Sequence, residues 1–407
     1  MFNKRRVCII GLGYIGLPTA ALLANRGYQV HGVDINQQVI DTINLGEIHI
    51  VEPDLEKFVQ NAVKKQYLKA SNNPAESDIF LIAVPTPFHN NTSNNLSSSP
   101  EPNIDFVVDA TKKIAPYIKS GNLVLLESTS PVGTTDMMFD ILKKEGVDME
   151  NVYIAHSPER VLPGNIMHEL IANDRIVGGI DEKSTKNAAD FYRTFVEGEV
   201  LETSARTAEM TKLTENSFRD VNIAFANELS ILCHDLDIDA LELISLANRH
   251  PRVNILSPGC GVGGHCIAVD PWFIVHSADG KANLIEQARR TNDYKVNWVI
   301  DRVKEQIIKY EKDKRRLPSI ACMGLAFKPN IDDLRESPAL QIATMLNDSY
   351  NIVAVEPNIR EHSFLKIVPY LEGLKADICI YLVAHDQFKN DQVKRTDLDF
   401  CGIKYRK

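Results

Sequence analysis

The stretch from Val7 to Asp34 constrains the fold more than any other. Val7-Cys8-Ile9-Ile10 is an apolar tetrad suited to a buried strand, and Gly11-Leu12-Gly13-Tyr14-Ile15-Gly16 has the spacing GxGxxG. Pro18 to Arg26 reads as a helix that Gly27 ends, Gln29 to Val33 is a second strand, and Asp34 follows it, 18 residues after Gly16. Strand, glycine turn, helix, strand and acid in this order predict a dinucleotide-binding unit. Gly11 and Gly13 let the backbone turn tightly and approach a pyrophosphate lying on the positive end of the helix, and Gly16 permits close packing of helix on strand. Asp34 can accept hydrogen bonds from two ribose hydroxyls and would repel a 2′-phosphate, which favours NAD over NADP. The same stretch has a rival reading. Lys4, Arg5 and Arg6 before the apolar run Val7–Ala24 have the layout of an export signal or short anchor, under which Asn91-Thr92-Ser93 and Asn95-Leu96-Ser97 would be glycosylation sequons. The punctuation by glycines and the closing acid favour the nucleotide unit.

The remaining composition fits a multidomain globular chain. The 407 residues are 44% hydrophobic and 24% charged, and 45 Lys plus Arg stand against 54 Asp plus Glu, a net charge of -9. That balance argues against a nucleic-acid binder, while leaving room for a local basic pocket. Seven cysteines without a CxxC pair point to a reducing cytoplasm. Further strands are expected at Asp78–Val84 and Leu123–Leu126, whose ends carry Thr86 and Thr129, placed to face a cofactor beyond the carboxyl edge of a parallel sheet. Between them, the Asn/Ser-rich stretch from His89 to Asn103 reads as a surface loop. Helical patterns run from Thr207 to Leu236 and from Asn283 to Tyr310. Strands then return at Ser319–Gly324, Asn351–Val355 and Asp377–Val383, the last echoing Ser77–Val84. The expected fold is α/β: two Rossmann-like doubly wound domains joined by a helical central region, divided as residues 1–200, 201–312 and 313–407.

Three stretches could carry chemistry. Gly259, Gly261, Gly263 and Gly264 make a loop whose amides can approach an anion or sugar, and Cys266 follows, resembling a nucleophile loop. Zinc through Cys260, His265 and Cys266 is the metal alternative, but no second ligand pair lies nearby, so no metal is expected. Buried inert thiols are the default for Cys8, Cys233, Cys322 and Cys379. Lys212, Asn216 and Arg219 fall at i, i+4 and i+7 on one helix face, able to hold a sugar oxygen and a phosphate, or merely forming a solvated polar face. Ser157–Gly164 and Asn248–Arg252 are proline-stiffened, arginine-bearing loops suited to a diphosphate.

Together these residues resemble the UDP-sugar 6-dehydrogenase family over nearly the whole chain, most closely its branch acting on UDP-N-acetyl-D-mannosamine. The resemblance rests on GLGYIGLPTA from Gly11, GEIHIVEPDL from Gly46, VPTPF from Val84, ESTSPVG from Glu127, PERVLPG from Pro158, KLTENSFRDVNIAFANELS from Lys212, NRHPRVNI from Asn248, GVGGHCIAVDPWF from Gly261 and GLAFKPNIDDLRESPA from Gly324. It implies two NAD-dependent oxidations at C6 of a UDP-N-acetylhexosamine, with Lys212 as acid/base and Cys266 as the nucleophile that passes through a thiohemiacetal to a thioester. Asp270 would position Cys266 and water, with Glu159, Asn216 and Thr129 around that water. Substrate contacts are implied at Arg160, Val161, Lys212, Asn216, Arg219, His250, Arg252, Gly263, Phe327 and Lys328. Cofactor contacts are implied at Tyr14, Ile15, Asp34, Thr86, Thr129 and Arg335. The long central helix of the family implies a homodimer. Val269 stands where glucose-specific relatives have lysine, in keeping with the acetamido-sugar branch, and Cys401 stands where relatives have a basic residue. The gluco epimer as substrate and a non-catalytic NAD-binding sensor are the rival expectations.

Overall fold

The computed structural model describes residues 5–89, 99–162, 164–264 and 266–405. Both sequons, most of the Asn/Ser-rich loop, Pro163 and His265 lie outside the described residues. The chain divides into two units, Met1–Thr214 and Glu215–Lys407.

The first unit is built on eight strands: β1 (Arg6–Ile10), β2 (Gln29–Val33), β3 (Leu68–Ser71), β4 (Ile79–Ile82), β5 (Leu123–Leu126), β6 (Tyr153–His156), β7 (Arg175–Gly179) and β8 (Val200–Ser204). Their order in the sheet is β3-β2-β1-β4-β5-β6-β7-β8. All pairs are parallel except β6 with β7. The first six strands thus have the 3-2-1-4-5-6 order of a Rossmann fold. A central parallel strand is covered on both faces, which is why β1, β4 and β5 read as unbroken apolar runs. Successive residues feed opposite cores: Val7, Ile9, Ile79, Leu81, Leu123 and Leu125 join one cluster, and Cys8, Ile10, Phe80, Ile82, Val124 and Leu126 the other.

The run after β1 is a glycine turn and a ten-residue helix, Gly16–Asn25. It starts two residues before the expected Pro18, because Leu17 N already donates to Gly13 O at 3.1 Å, and proline is tolerated in a first turn. No helix among the described residues is long and apolar enough to cross a membrane. The apolar run from Val7 to Ala24 is part of the core of a nucleotide fold.

A 31-residue helix, Ala205–Asp235, leads out of β8. In the second unit, the helices Ala240–Ala247, Asp270–Ser277 and Asn283–Lys314 precede a parallel sheet of β9 (Ile320–Met323), β10 (Ile352–Val355), β11 (Ile378–Tyr381) and β12 (Leu398–Asp399). The sheet order is β10-β9-β11-β12. Here too the faces alternate, Ile320 and Cys322 feeding one core and Ala321 and Met323 the other. Strand β12 was not anticipated, since two half-buried residues carry no periodicity.

Candidate active site

The glycine turn after β1 has the geometry its spacing requires. Gly11 sits at φ +91°, and a Cβ there would lie 2.5 Å from Ala83 O; one on Gly16 would lie 1.8 Å from Gly11 O. Only glycine fits at either position. In contrast, nothing lies within 4 Å of a Cβ built on Gly13, so the exposed face of the turn is open where a phosphate would approach. Tyr14 is exposed and Ile15 half-buried beside it. Leu12 N donates to Asp34 Oδ2 at 3.0 Å and Asn36 N to Asp34 Oδ1 at 2.9 Å, fixing a half-buried carboxylate with lone pairs to spare for ribose hydroxyls. Across the carboxyl edge, Thr86 Oγ1 donates to Thr129 O at 2.7 Å, tying together the ends of β4 and β5. These residues fit a dinucleotide. His49, which sequence reasoning did not single out, also faces this edge: burial lowers its pKa, opposed by the charge of Asp34.

A buried polar cluster lies behind Glu159. Arg175 Nη1 donates to Glu159 Oε2 at 2.6 Å, with both side chains under a tenth exposed. The guanidinium lies over the Tyr192 ring, 5.0 Å from its centre. Tyr192 in turn donates its hydroxyl to Glu127 Oε1 at 2.8 Å. One cation therefore serves two buried carboxyls. Burial lifts Glu127 to about 7, Arg175 opposing and the Glu159 charge adding to the rise. Burial works against the Arg175 charge, but Glu159 and Glu127 hold its pKa above the ordinary value. His156, next to them on β6, is driven by burial to about 3 and is neutral. Only Glu159 of this cluster was expected from the sequence. Glu127 was visible in the ESTSPVG run, whereas Arg175 and Tyr192 gave no signal.

The loop that follows Glu159 is held by another unanticipated acid. Glu52, buried, accepts from Gly164 N at 2.8 Å and from Ile166 N at 2.7 Å. It thereby anchors the segment that carries Arg160 and Val161. Arg160 reaches Asp174 O at 3.5 Å, and Val161 packs on the apolar core.

Lys212, Asn216 and Arg219 share one face of the Ala205–Asp235 helix, respectively half-buried, buried and exposed. Asn216 Nδ2 donates to Asp270 Oδ2 at 2.5 Å. Asp270 opens its own helix, and its N–H reaches back to Cys266 O at 2.8 Å. The second unit thus brings Asn216, Asp270 and Cys266 into one linked group. The preceding glycine loop packs on the GLAFKPNIDDLRESPA segment. A Cβ on Gly263 would lie 2.5 Å from Glu336 O and 2.8 Å from Phe327 Cβ, and Gly264 N donates to Arg335 O at 3.1 Å. Phe327 is half-buried with Lys328 Nζ 5.8 Å from its ring centre, and Arg335 pairs with Asp333 at 2.6 Å. His250 and Arg252 are exposed beyond Ala247, His250 Nδ1 accepting from Arg252 N at 3.3 Å.

Cysteine environments differ sharply. Cys266 is half-buried, but Cys260 is turned inward toward Leu382 O at 3.5 Å and burial pushes its thiol up to about 12. Among the described residues, no group of three or more His, Cys, Asp or Glu side chains is arranged to hold a metal ion. Cys8, Cys233, Cys322 and Cys379 are buried. At Cys401, the backbone amide donates to Asp399 Oδ1 at 3.2 Å, so that segment is wrapped around an acid.

Comparison with known proteins agrees with this layout. Three domain models of the UDP-glucose/GDP-mannose dehydrogenase family match in order: the NAD binding domain over residues 5–196, the central domain over 206–294 and the UDP binding domain over 321–399. The chain is 53% identical to a UDP-N-acetyl-D-mannosamine dehydrogenase of Campylobacter jejuni, covering 98% of this chain and 99% of that one. It is 50% identical to an NDP-N-acetyl-D-galactosaminuronic acid dehydrogenase of Ralstonia nicotianae, covering 95% and 92%. Among solved structures, the UDP-N-acetyl-mannosamine dehydrogenase Cap5O of Staphylococcus aureus superposes with a TM-score of 0.84 at 42% identity, over 95% of this chain and 91% of that one. The paired nucleotide folds, the glycine turn with its acid and these matches lead to one conclusion: the chain belongs to the UDP-glucose/GDP-mannose dehydrogenase family.

Proposed function

We propose that the protein oxidises UDP-N-acetyl-D-mannosamine at C6 to the uronate, using NAD, in the supply of an acidic sugar for bacterial surface polysaccharide. The linked group Cys266–Asp270–Asn216 carries this reading, because a half-buried cysteine one helical turn before a carboxylate held by an amide suits covalent capture of an aldehyde. The extended likeness to a UDP-N-acetyl-D-mannosamine dehydrogenase supports the choice of sugar.

In the first oxidation, Lys212 Nζ takes the proton of the C6 hydroxyl. Cys266 Sγ then adds to the aldehyde carbon, giving a thiohemiacetal in which the new hydroxyl proton again goes to a base. NAD, when bound against the Gly11–Gly16 turn and Asp34, supplies the acceptor for one hydride in each oxidation. Loss of the second hydride leaves a thioester on Cys266. Water, oriented by Asp270, Asn216, Glu159 and Thr129, adds to the thioester carbonyl, the C–S bond breaks and the thiol is regenerated with the carboxylate released. Arg160, Val161, Arg219, His250, Arg252, Gly263, Phe327 and Lys328 hold the UDP-sugar, and Tyr14, Ile15, Thr86 and Arg335 the cofactor.

The reading divides the chain into a NAD-binding domain (1–200), a helical connector with the cysteine loop (201–312) and a UDP-binding domain (313–407), close in extent to the three family matches. It places the protein in the reducing cytoplasm, which seven cysteines without a CxxC pair support. We further propose a homodimer, since Phe218, Phe225 and Leu232 lie seven residues apart on one face of the Ala205–Asp235 helix, 68%, 53% and 49% exposed.

The deciding assay follows NADH with purified UDP-N-acetylmannosamine and its gluco and galacto counterparts. About two NADH per manno sugar are expected, since an alcohol becomes an acid. Turnover of only another epimer would reassign the substrate; a galacto preference would follow the second relative. Oxidation undiminished in Cys266→Ala would remove the covalent mechanism and leave a simple dehydrogenase; no turnover by the native protein would leave an NAD-binding sensor.

A further inference from the structure

The loop that delivers Cys266 is tied to the two long helices by a chain of buried amides. Gly259 N donates to Asn227 Oδ1 at 2.8 Å, Asn227 Nδ2 donates to Asn292 Oδ1 at 2.8 Å, and Asn292 Nδ2 donates to Asp220 Oδ1 at 2.8 Å and Asp220 O at 3.1 Å. Arg289 Nη1 closes the chain on the same Asp220 oxygen at 2.5 Å and also holds Asp293. Asp220, Asn227, Arg289 and Asn292 are each at most 1% exposed. The loop leans on the same element again two residues later, where a Cβ on Gly261 would lie 3.0 Å from Asn292 O.

Both ends of this chain have fixed polarity. A backbone N–H can only donate, and an ionised carboxylate can only accept. Burial lifts the Asp220 carboxyl to about 6 while Arg289 opposes the rise, so at neutral pH it is an acceptor. Between such ends the two amides have one satisfactory orientation each: Asn292 turns its NH2 to Asp220, hence its oxygen to Asn227, and Asn227 turns its oxygen to the loop. A reversed amide anywhere would set donor against donor or oxygen against oxygen in a dry interior, where an unmade hydrogen bond is costly.

We infer that Asn227 is a positioning residue for the nucleophile loop, its amide aimed at Gly259 by a polar relay through Asn292 from Asp220. The inference rests on the proposed role of Cys266 only for its effect on turnover. None of the four relay residues is among the groups assigned to chemistry or substrate.

The relay predicts an unusual pattern among isosteric variants. Asn227→Asp keeps an acceptor for Gly259 but sets a carboxylate against the Asn292 oxygen. Relief requires Asn292 to turn over, which the charged Asp220 opposes. Asp220→Asn in the same chain offers no such relief, because a turned amide there would set its NH2 against Arg289 Nη1, which bonds the same oxygen as Asn292. We therefore expect Asn227→Asp to lower kcat and the rate of Cys266 alkylation by iodoacetamide roughly ten- to a hundredfold at little change in KM, the cost of a nucleophile displaced by about an ångström. Asp220→Asn alone should cost less than about threefold, because its oxygen can still accept from both Asn292 and Arg289. Asn227→Ala, which offers Gly259 no acceptor, should lose both, and so should Asn292→Ala, which leaves the Asn227 amide unaimed; combined, the two should cost little more than Asn227→Ala alone. Thermal melts of every variant separate these effects from global destabilisation. Losses that simply multiply in the Asn227→Ala/Asn292→Ala variant, or an Asn227→Ala protein with native kcat and alkylation rate, would overturn the relay. Alkylation reports the loop whether or not Cys266 is the nucleophile, so a fully active Cys266→Ala enzyme would refute the mechanism and leave the relay to be judged on its own readout.

Discussion

Glu127 shows how a single side chain can link fold and pH. Two buried carboxyls compete for one arginine, and the geometry favours Glu159, which takes the guanidinium, whereas Glu127 receives only a neutral tyrosine hydroxyl. Glu127 therefore holds the proton. Its pKa in the fold, about 7, lies above the ordinary 4.5, so the stabilisation it contributes is complete at acid pH and is lost as pH rises through about 7. The amount at stake is on the order of a few kcal/mol. Glu127→Gln, a neutral isostere, should flatten the fall in melting temperature between about pH 5 and 8 that the native protein shows. Equal slopes in the two proteins would mean that Glu127 is already ionised. Such a role is invisible in a sequence: Arg175 sits in an ordinary strand and Tyr192 at the end of an ordinary helix, and they meet Glu127 only because β7 pairs against β6.

At the scale of elements, the long helices were legible because their apolar positions recur over eight or nine turns and their ends are marked. Asn283–Lys314 begins where expected and runs four residues past Tyr310, the extension being charged residues that carry no burial signal. What the pattern did not separate is which exposed side chains of Ala205–Asp235 are surplus. Phe218, Phe225 and Leu232 stay 49% or more exposed in the single chain, yet they form one stripe. Phe218→Glu with Phe225→Glu should convert the dimer to a monomer in sedimentation without loss of the monomer's helical content. A native protein that sediments as a monomer would end the dimer proposal.

Across the whole molecule, the two-fold use of one supersecondary plan was readable from the echo between Ser77–Val84 and Ala376–Val383, since parallel strands buried on both faces announce themselves as apolar runs. The assembly of the cysteine loop was less so: Asp270 and Asn216 are 54 residues apart, and their hydrogen bond depends on how helices cross. The two nucleotide folds also differ at the very place where they look alike. In the first, Gly11 N bonds to Val33 O and Asp34 stands half-buried at the strand end; in the second, Gly324 N bonds to Val355 O and Glu356 stands there, 5% exposed. Glu356 Oε2 is already taken by Leu325 N at 2.7 Å and Ala326 N at 3.0 Å, and Oε1 by Asn358 N at 3.1 Å. His385 Nδ1 accepts from Asn330 N, so its Nε2 carries the proton and donates to Glu356 at 3.1 Å. The corresponding acid is thus a buried keystone of its own turn, its two oxygens taken up by five donors before any ribose diol could reach them. The chain should accordingly saturate with one NAD in equilibrium titration, and a second equivalent site would contradict it. A plan used twice has here been given one door for a dinucleotide, the other having been bricked up from within by a glutamate and a histidine.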